Sequence, residues 1–240
     1  MDHQLTVLVW TAAGIGLIHT LTGPDHYLPF IIMGKARSWS LPRTLSITAL
    51  CGVGHVLGSV VLGFVGIGAG IALHELVNIE SLRGEIAAWG LVAFGLVYTI
   101  WGLRRAYRNR PHTHVHAHSD GQLHIHEHIH QEEHTHVHEH QAKDKAKSLT
   151  PWVLFIIFVL GPCEPLIPLL MFPAAEMSMS GVVLIATVFS VITIATMMAT
   201  VGLAMAGIQR LPLGSLERYT HALAGGALTL SGLAVTLLGL

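Results

Sequence analysis

The sequence predicts an all-α membrane protein of six transmembrane helices, arranged as a 3+3 inverted repeat with helices one and four broken at proline. Three observations predict it. Of 240 residues, 52% are hydrophobic and only 11% charged, where a soluble domain carries about 25% charged residues. The apolar residues gather into blocks long enough to cross ~30 Å of hydrocarbon. A segment of the first half also matches one of the second half without a gap.

The blocks run 5–34, 44–73, 85–103, 151–173, 180–208 and 219–240, with a polar stretch over 108–150. Helices are expected because lipid cannot satisfy backbone groups. The glycines of block two, Gly52, Gly54, Gly58, Gly63, Gly66, Gly68 and Gly70 among them, suit close helix packing. The first block lacks a basic n-region and a small-residue cleavage site, so it reads as retained. The two cysteines, Cys51 and Cys163, both fall in apolar blocks, which argues against a disulfide framework.

The repeat aligns Gly23-Pro-Asp-His-Tyr-Leu-Pro-Phe-Ile-Ile-Met33 with Gly161-Pro-Cys-Glu-Pro-Leu-Ile-Pro-Leu-Leu-Met171 at an offset of 138. Gly, Pro, Leu and Met coincide. Three spans per half give the halves opposite topology, the plan of secondary transporters whose broken helices meet near the midplane. The halves are taken as 1–110 and 150–240, joined by a loop over 111–149. With the N-terminus outside, Lys35, Arg37, Arg43, Arg104, Arg105, Arg108, Arg110, Lys143, Lys145, Lys147, Arg210 and Arg218 fall inside, and Arg83 falls outside. Positive-inside bias then sets both termini outside and the loop in the cytoplasm. A bacterial cytoplasmic membrane is the expected location.

Ionisable groups at membrane depth are costly and usually functional. His19, Asp25 and His26 lie within eight residues beside Gly23-Pro24. On an unbroken helix, His19 and His26 would share a face but stand about 10 Å apart along the axis. That is too far for one ion with ~2.1 Å bonds to imidazole nitrogen. Pro24 lacks an N–H and clashes with the preceding turn, so an unwound segment could bring the three groups together. Asp25 could ligate, or could hold an imidazole from behind. His55 lies in Gly52-Val-Gly-His-Val-Leu-Gly58, with space opened around it. Cys163 and Glu164 are the repeat mates of Asp25 and His26, and a thiolate and a carboxylate can both bind metal; Glu164 could also carry protons. Imidazole, thiolate and carboxylate together suit a borderline divalent transition metal. The hydroxyls of Thr187, Ser190, Thr193, Thr196 and Thr200 form a stripe that could line a hydrated path or bond between helices. Met197, Met198 and Met205 read as packing, and His74 and His221 as interfacial.

The loop carries His112, His114, His116, His118, His124, His126, His128, His130, His134, His136, His138 and His140. The alternation could suggest a strand, but polar composition with Asp-Gly and Glu-Glu breaks predicts disorder without metal. Neutral imidazoles at this density bind Ni²⁺, Co²⁺, Cu²⁺ or Zn²⁺ and release them below a pKa of about 6.5.

These residues resemble the nickel/cobalt transporter group of the LysE-like superfamily. His19 to His26 is similar to the His-spacer-Asp-His signature of nickel/cobalt permeases, with five spacer residues in place of four. It is closer in spacing to the His-Pro-x-x-Gly-x-Asp-His motif of hydrogenase- and urease-linked nickel permeases, with Thr20 in place of Pro. Gly54-His55 resembles the Gly-His of the permeases' second helix, and the His-rich loop resembles that of the NicO exporters. The six-helix plan is similar to that of the superfamily at large, UreH-like membrane domains included. The resemblance implies Asp25, His26 and His55 as transport-site residues, with His19 beside them. It implies no direction, since such families include importers and exporters.

The expectation is therefore a membrane transporter of Ni²⁺ or Co²⁺, with Zn²⁺ admitted, and the cytoplasmic loop tilts it towards export. The ion is cargo; no prosthetic group is expected. The partners are the cation, the bilayer and, as a candidate, a cytoplasmic metal chaperone. No nucleotide-binding motif or hydrolytic triad is present, and neither an enzyme nor a nucleic-acid binder is expected. Two alternatives stand. Gly161-Pro-Cys163 resembles the Pro-Cys motif of thiol–disulfide carriers in the same superfamily, with Cys51 needed as the second thiol. The chain could also be a membrane-anchored metal sensor.

Overall fold

The computed structural model describes residues 3–108, 112–117, 123–128, 149–176, 179–208 and 214–238. The helices are α1 His3–Thr22, α2 Leu28–Ala36, α3 Leu41–Ala69, α4 Leu73–Arg108, α5 Thr150–Leu160, α6 Leu166–Glu176, α7 Met179–Ile208 and α8 Thr220–Leu238. Short 3₁₀ turns lie at Pro24–His26 and Gly214–Tyr219. Five described helices are long and apolar enough to cross a membrane: α1, α3, α4, α7 and the stretch Glu217–Leu238. Large apolar side chains point outward along them, among them Trp10, Leu57, Val97, Leu203 and Leu230. In lipid such an exterior carries no hydrophobic cost.

The expected breaks are present. Each is a Gly-Pro step with the glycine in extended backbone, Gly23 at φ −86°, ψ 99° and Gly161 at φ −59°, ψ 139°. The residue before a proline avoids the helical region, so α1 and α5 end there. The chain resumes as α2 and α6 after Pro24–His26 and Pro162–Pro165. At the first break the His26 amide donates to Gly23 O at 3.1 Å. At the second, the Leu166 amide donates to Cys163 O at 2.8 Å.

Packing is by exchange. α1 lies on α7, and α5 lies on α3; α2 touches α8, and α6 touches α4. α3 meets α7 centrally. The most extensive pairing is α4 with α8, where glycines bring backbones together. A Cβ on Gly95 would stand 2.5 Å from Thr229 N, and one on Gly232 would stand 2.9 Å from Ala88 O. Small residues commonly mediate such membrane contacts.

Two expectations are corrected. Arg83 is not in an outer loop, because α4 begins at Leu73 rather than near 85 and Arg83 lies about three turns into it. Part of the His-rich loop is ordered as a two-stranded antiparallel ladder, β1 His112–Ala117 with β2 Leu123–His128. The period-2 alternation outweighed the polar composition there. The register pairs His112 with His128, His114 with His126 and His116 with His124. His118, His130, His134, His136, His138 and His140 lie outside the described residues.

Candidate metal centre

The site begins with backbone that proline has freed. In α5 the carbonyl of Phe158 would bond residue 162 in a continuing helix, but Pro162 has no N–H. Phe158 O takes the Gly161 amide at 3.1 Å instead. It also faces His55 Nδ1 at 3.3 Å. A carbonyl only accepts, so Nδ1 of His55 carries the proton and Nε2 of the neutral ring carries a lone pair. His26 is arranged in the same way. Its Nδ1 donates to Gly23 O and Asp25 Oδ1, each at 3.1 Å. In both rings Nε2 is buried and has no hydrogen-bond partner. A buried polar atom without a partner is unusual. Two bare imidazole lone pairs in one apolar setting could hold a Lewis acid.

The rings stand close together. His26 is edge-on to His19 with centroids 4.6 Å apart, and edge-on to His55 at 5.0 Å. His19, near the end of α1, brings Nε2 to 3.9 Å from Cys163 Sγ. Among the described residues, the ligand atoms of His19, His55 and Cys163 all lie within 4.8 Å of one another. Tetrahedral zinc-type bonds of 2.0–2.3 Å need ligand atoms about 3.3–3.8 Å apart. The group is therefore a little wider than a closed shell and would contract on binding. Cys163 is fully buried; Phe30, Phe158 and Phe189 pack around the centre.

Asp25 is joined to His26 Nδ1, the geometry of a carboxylate that orients an imidazole and fixes its tautomer. With His55, Gly161 and Pro162 it also lines a cavity of about 30 Å³, to which His19, His26 and Cys163 do not contribute. The structure brings His19, Asp25, His26, His55 and Cys163 together. Glu164 is exposed and lies outside the ligand group. Cys51 and Cys163 are both buried and unpaired, and they pack in different apolar clusters, Cys51 with Met197 and Cys163 with Phe189.

In the α7 stripe, Thr187 and Ser190 donate to Val183 O and Ala186 O of their own helix at 2.7 and 2.6 Å. Thr193 is buried without a partner. Met197 and Met205 are fully buried packing residues. His74 is exposed beside Glu75. His221 pairs with the Tyr98 hydroxyl at 2.9 Å, away from the centre.

Sequence reasoning missed Glu80. It is fully buried, and its Oε2 accepts from Arg83 Nη1 at 2.8 Å. The available signal was the helical i,i+3 spacing of Glu80 and Arg83 just ahead of Gly84.

No protein-family model matches this chain, and no solved structure does. The chain is similar to the chloroplast protein FOR GROWTH AND FERTILITY 1 of Arabidopsis thaliana, 32% identical over 93 residues. The match covers 39% of this chain and 23% of that protein.

Proposed function

We propose that this protein is a membrane transporter of divalent transition-metal cations, Ni²⁺ or Co²⁺ with Zn²⁺ admitted. The observation that carries the reading is the pair of buried, partnerless Nε2 atoms on His26 and His55. Beside them are His19 Nε2 and Cys163 Sγ. Soft and borderline donors of this kind favour such ions over Mg²⁺ or Ca²⁺. His19, His55 and Cys163 would ligate first, with His26 completing the shell and Asp25 holding His26. Glu164, exposed beside this group, would meet the ion only on its way.

The six-span 3+3 plan belongs to this proposal. It is supported by the two Gly-Pro breaks and by the reciprocal packing of α1 on α7 and α5 on α3. α6, with its two prolines, would complete the second broken span. Rocking of the halves would expose the centre to alternate sides. The orientation is supported by Arg37, which follows α2, donates to Thr150 Oγ1 at the start of α5 and stacks on Tyr98 and Trp101 near the end of α4. These ends share one side, the side proposed as cytoplasmic. The loop histidines would gather ions there, favouring export, from a bacterial cytoplasmic membrane.

The test is flux into proteoliposomes of known orientation, loaded with a metal-sensitive dye and given Ni²⁺, Co²⁺, Zn²⁺ and Mn²⁺ separately. Flux of Ni²⁺ or Co²⁺ that His26→Ala abolishes is expected. Absence of flux for every metal, in folded protein, would refute transport.

A further inference from the structure

The second break parts one helical hydrogen bond completely. In an unbroken helix Val159 O would accept from the Cys163 amide. Here each partner is satisfied by another helix. Val159 O accepts from Arg83 Nη2 of α4 at 2.9 Å. The Cys163 amide donates to Ser59 Oγ of α3 at 3.1 Å. The two substitutes are brought together by Glu80, which takes Arg83 Nη1 at 2.8 Å and lies near the Ser59 hydroxyl. Ser59 and Glu80 are fully buried, and Arg83 is mostly so. Room for the guanidinium comes from Gly58, where a Cβ would stand 2.5 Å from Arg83 Nη2 and 3.1 Å from Val159 O.

A buried ion pair is a weak source of stability, because desolvation offsets its attraction. Its value here is geometric. Arg83 offers two donors in a fixed fork, one for the carboxylate and one for the orphaned carbonyl. We infer that Ser59, Glu80 and Arg83 are positioning residues that clamp the chain open between α5 and α6 at Gly161-Pro162 and so set Cys163 Sγ against His19. None of the three belongs to the group of ligand atoms around Cys163. The inference rests on the cation reading above, in which Cys163 is a ligand.

The experiment uses the full chain in nanodiscs with Cys51→Ala, so that one thiol remains, and Co²⁺ as the probe. A cobalt-bound thiolate gives a near-ultraviolet charge-transfer band, while the visible d–d bands report the ion whatever its ligands. Cys163→Ser should abolish the first and keep the second. Ser59→Ala and Arg83→Gln should weaken Co²⁺ binding, titrated on the charge-transfer band so that ions on the loop histidines are not counted, by about tenfold or more. They should also lose most of the charge-transfer band while retaining d–d bands. Glu85→Gln, on an exposed neighbour, should change neither. Unchanged affinity and charge-transfer intensity in folded Ser59→Ala and Arg83→Gln would overturn the inference. Ser59→Ala removes a single oxygen and serves if Arg83→Gln does not fold.

If the parent shows no charge-transfer band with Co²⁺, the reading of Cys163 as a ligand fails, and the infrared S–H stretch of Cys163 decides the clamp separately. A displaced band in Ser59→Ala and Arg83→Gln would support positioning. A band identical to the parent's would overturn it.

Discussion

His55 on α3 donates from Nδ1 to the carbonyl of Phe158 on α5, 3.3 Å away. This contact crosses between the two halves of the chain, and it exists because Pro162 leaves that carbonyl without its helical partner. It fixes the tautomer that leaves Nε2 bare. Replacing His55 with Ala should therefore weaken Ni²⁺ or Co²⁺ binding by at least about tenfold and stop flux, with the helices retained. Calorimetric titration in detergent together with circular dichroism checks both parts. Unchanged affinity would remove His55 from the site.

Asp25 meets His26 Nδ1 at 3.1 Å, and in the proposed centre it would act through that ring. Asp25→Asn keeps an acceptor but removes the charge, and Nδ1 of His26 still has Gly23 O. The expected result is metal affinity about 10- to 100-fold lower with unchanged stoichiometry. Loss of one full equivalent of metal would instead make Asp25 a direct ligand.

Pro162→Ala returns an N–H to position 162. That amide can bond Phe158 O and draw Gly161 out of its extended conformation, so the segment should continue as helix. Flux should fall sharply while thermal stability is unchanged or higher. Full flux in this variant would mean that the break does not need its proline.

Two glycines test the helix packing in opposite directions. Gly95→Ala puts a Cβ 2.5 Å from the Thr229 backbone nitrogen. Such overpacking should cost about 1–3 kcal/mol in denaturant unfolding from mixed micelles. Gly68→Ala meets nothing within 4 Å. It should be neutral, or stabilising by up to about 1 kcal/mol through helix preference.

The loop predicts a pH signature. Protonated imidazole cannot ligate, so metal held by the loop is retained above the usual histidine pKa of about 6.5 and lost as pH falls through it. Equilibrium dialysis against Ni²⁺ should find extra equivalents on the full chain at pH 7.5, absent at pH 5.5. A variant lacking 112–140 should show no such extra equivalents at either pH.

Much of this was legible because membrane sequence makes polarity conspicuous. His19, Asp25, His26 and His55 stand out against apolar neighbours, and both Gly-Pro steps mark where helices end. The meeting of Cys163 with His19 was not legible as a contact, since it depends on how two breaks face each other across 144 residues. Glu80 and Arg83 were hidden by the same hydropathy that exposed the histidines. Two charges near the start of an apolar block look like its flank, although pairing lets them be buried. The ladder at His112–Ala117 was visible as alternation and was outweighed by composition.

Phe30, Phe158 and Phe189 close around two imidazole edges and a thiol, and that setting offers donors but little solvent. An ion held there would exchange most of its water for nitrogen and sulfur. Every divalent ion gives up a large hydration energy in that exchange, so the loss alone does not choose between them. The choice falls to the new bonds, which are strong for borderline ions and weak for Mg²⁺. A dry, donor-rich centre would discriminate by what it returns to the ion and not by what it strips away.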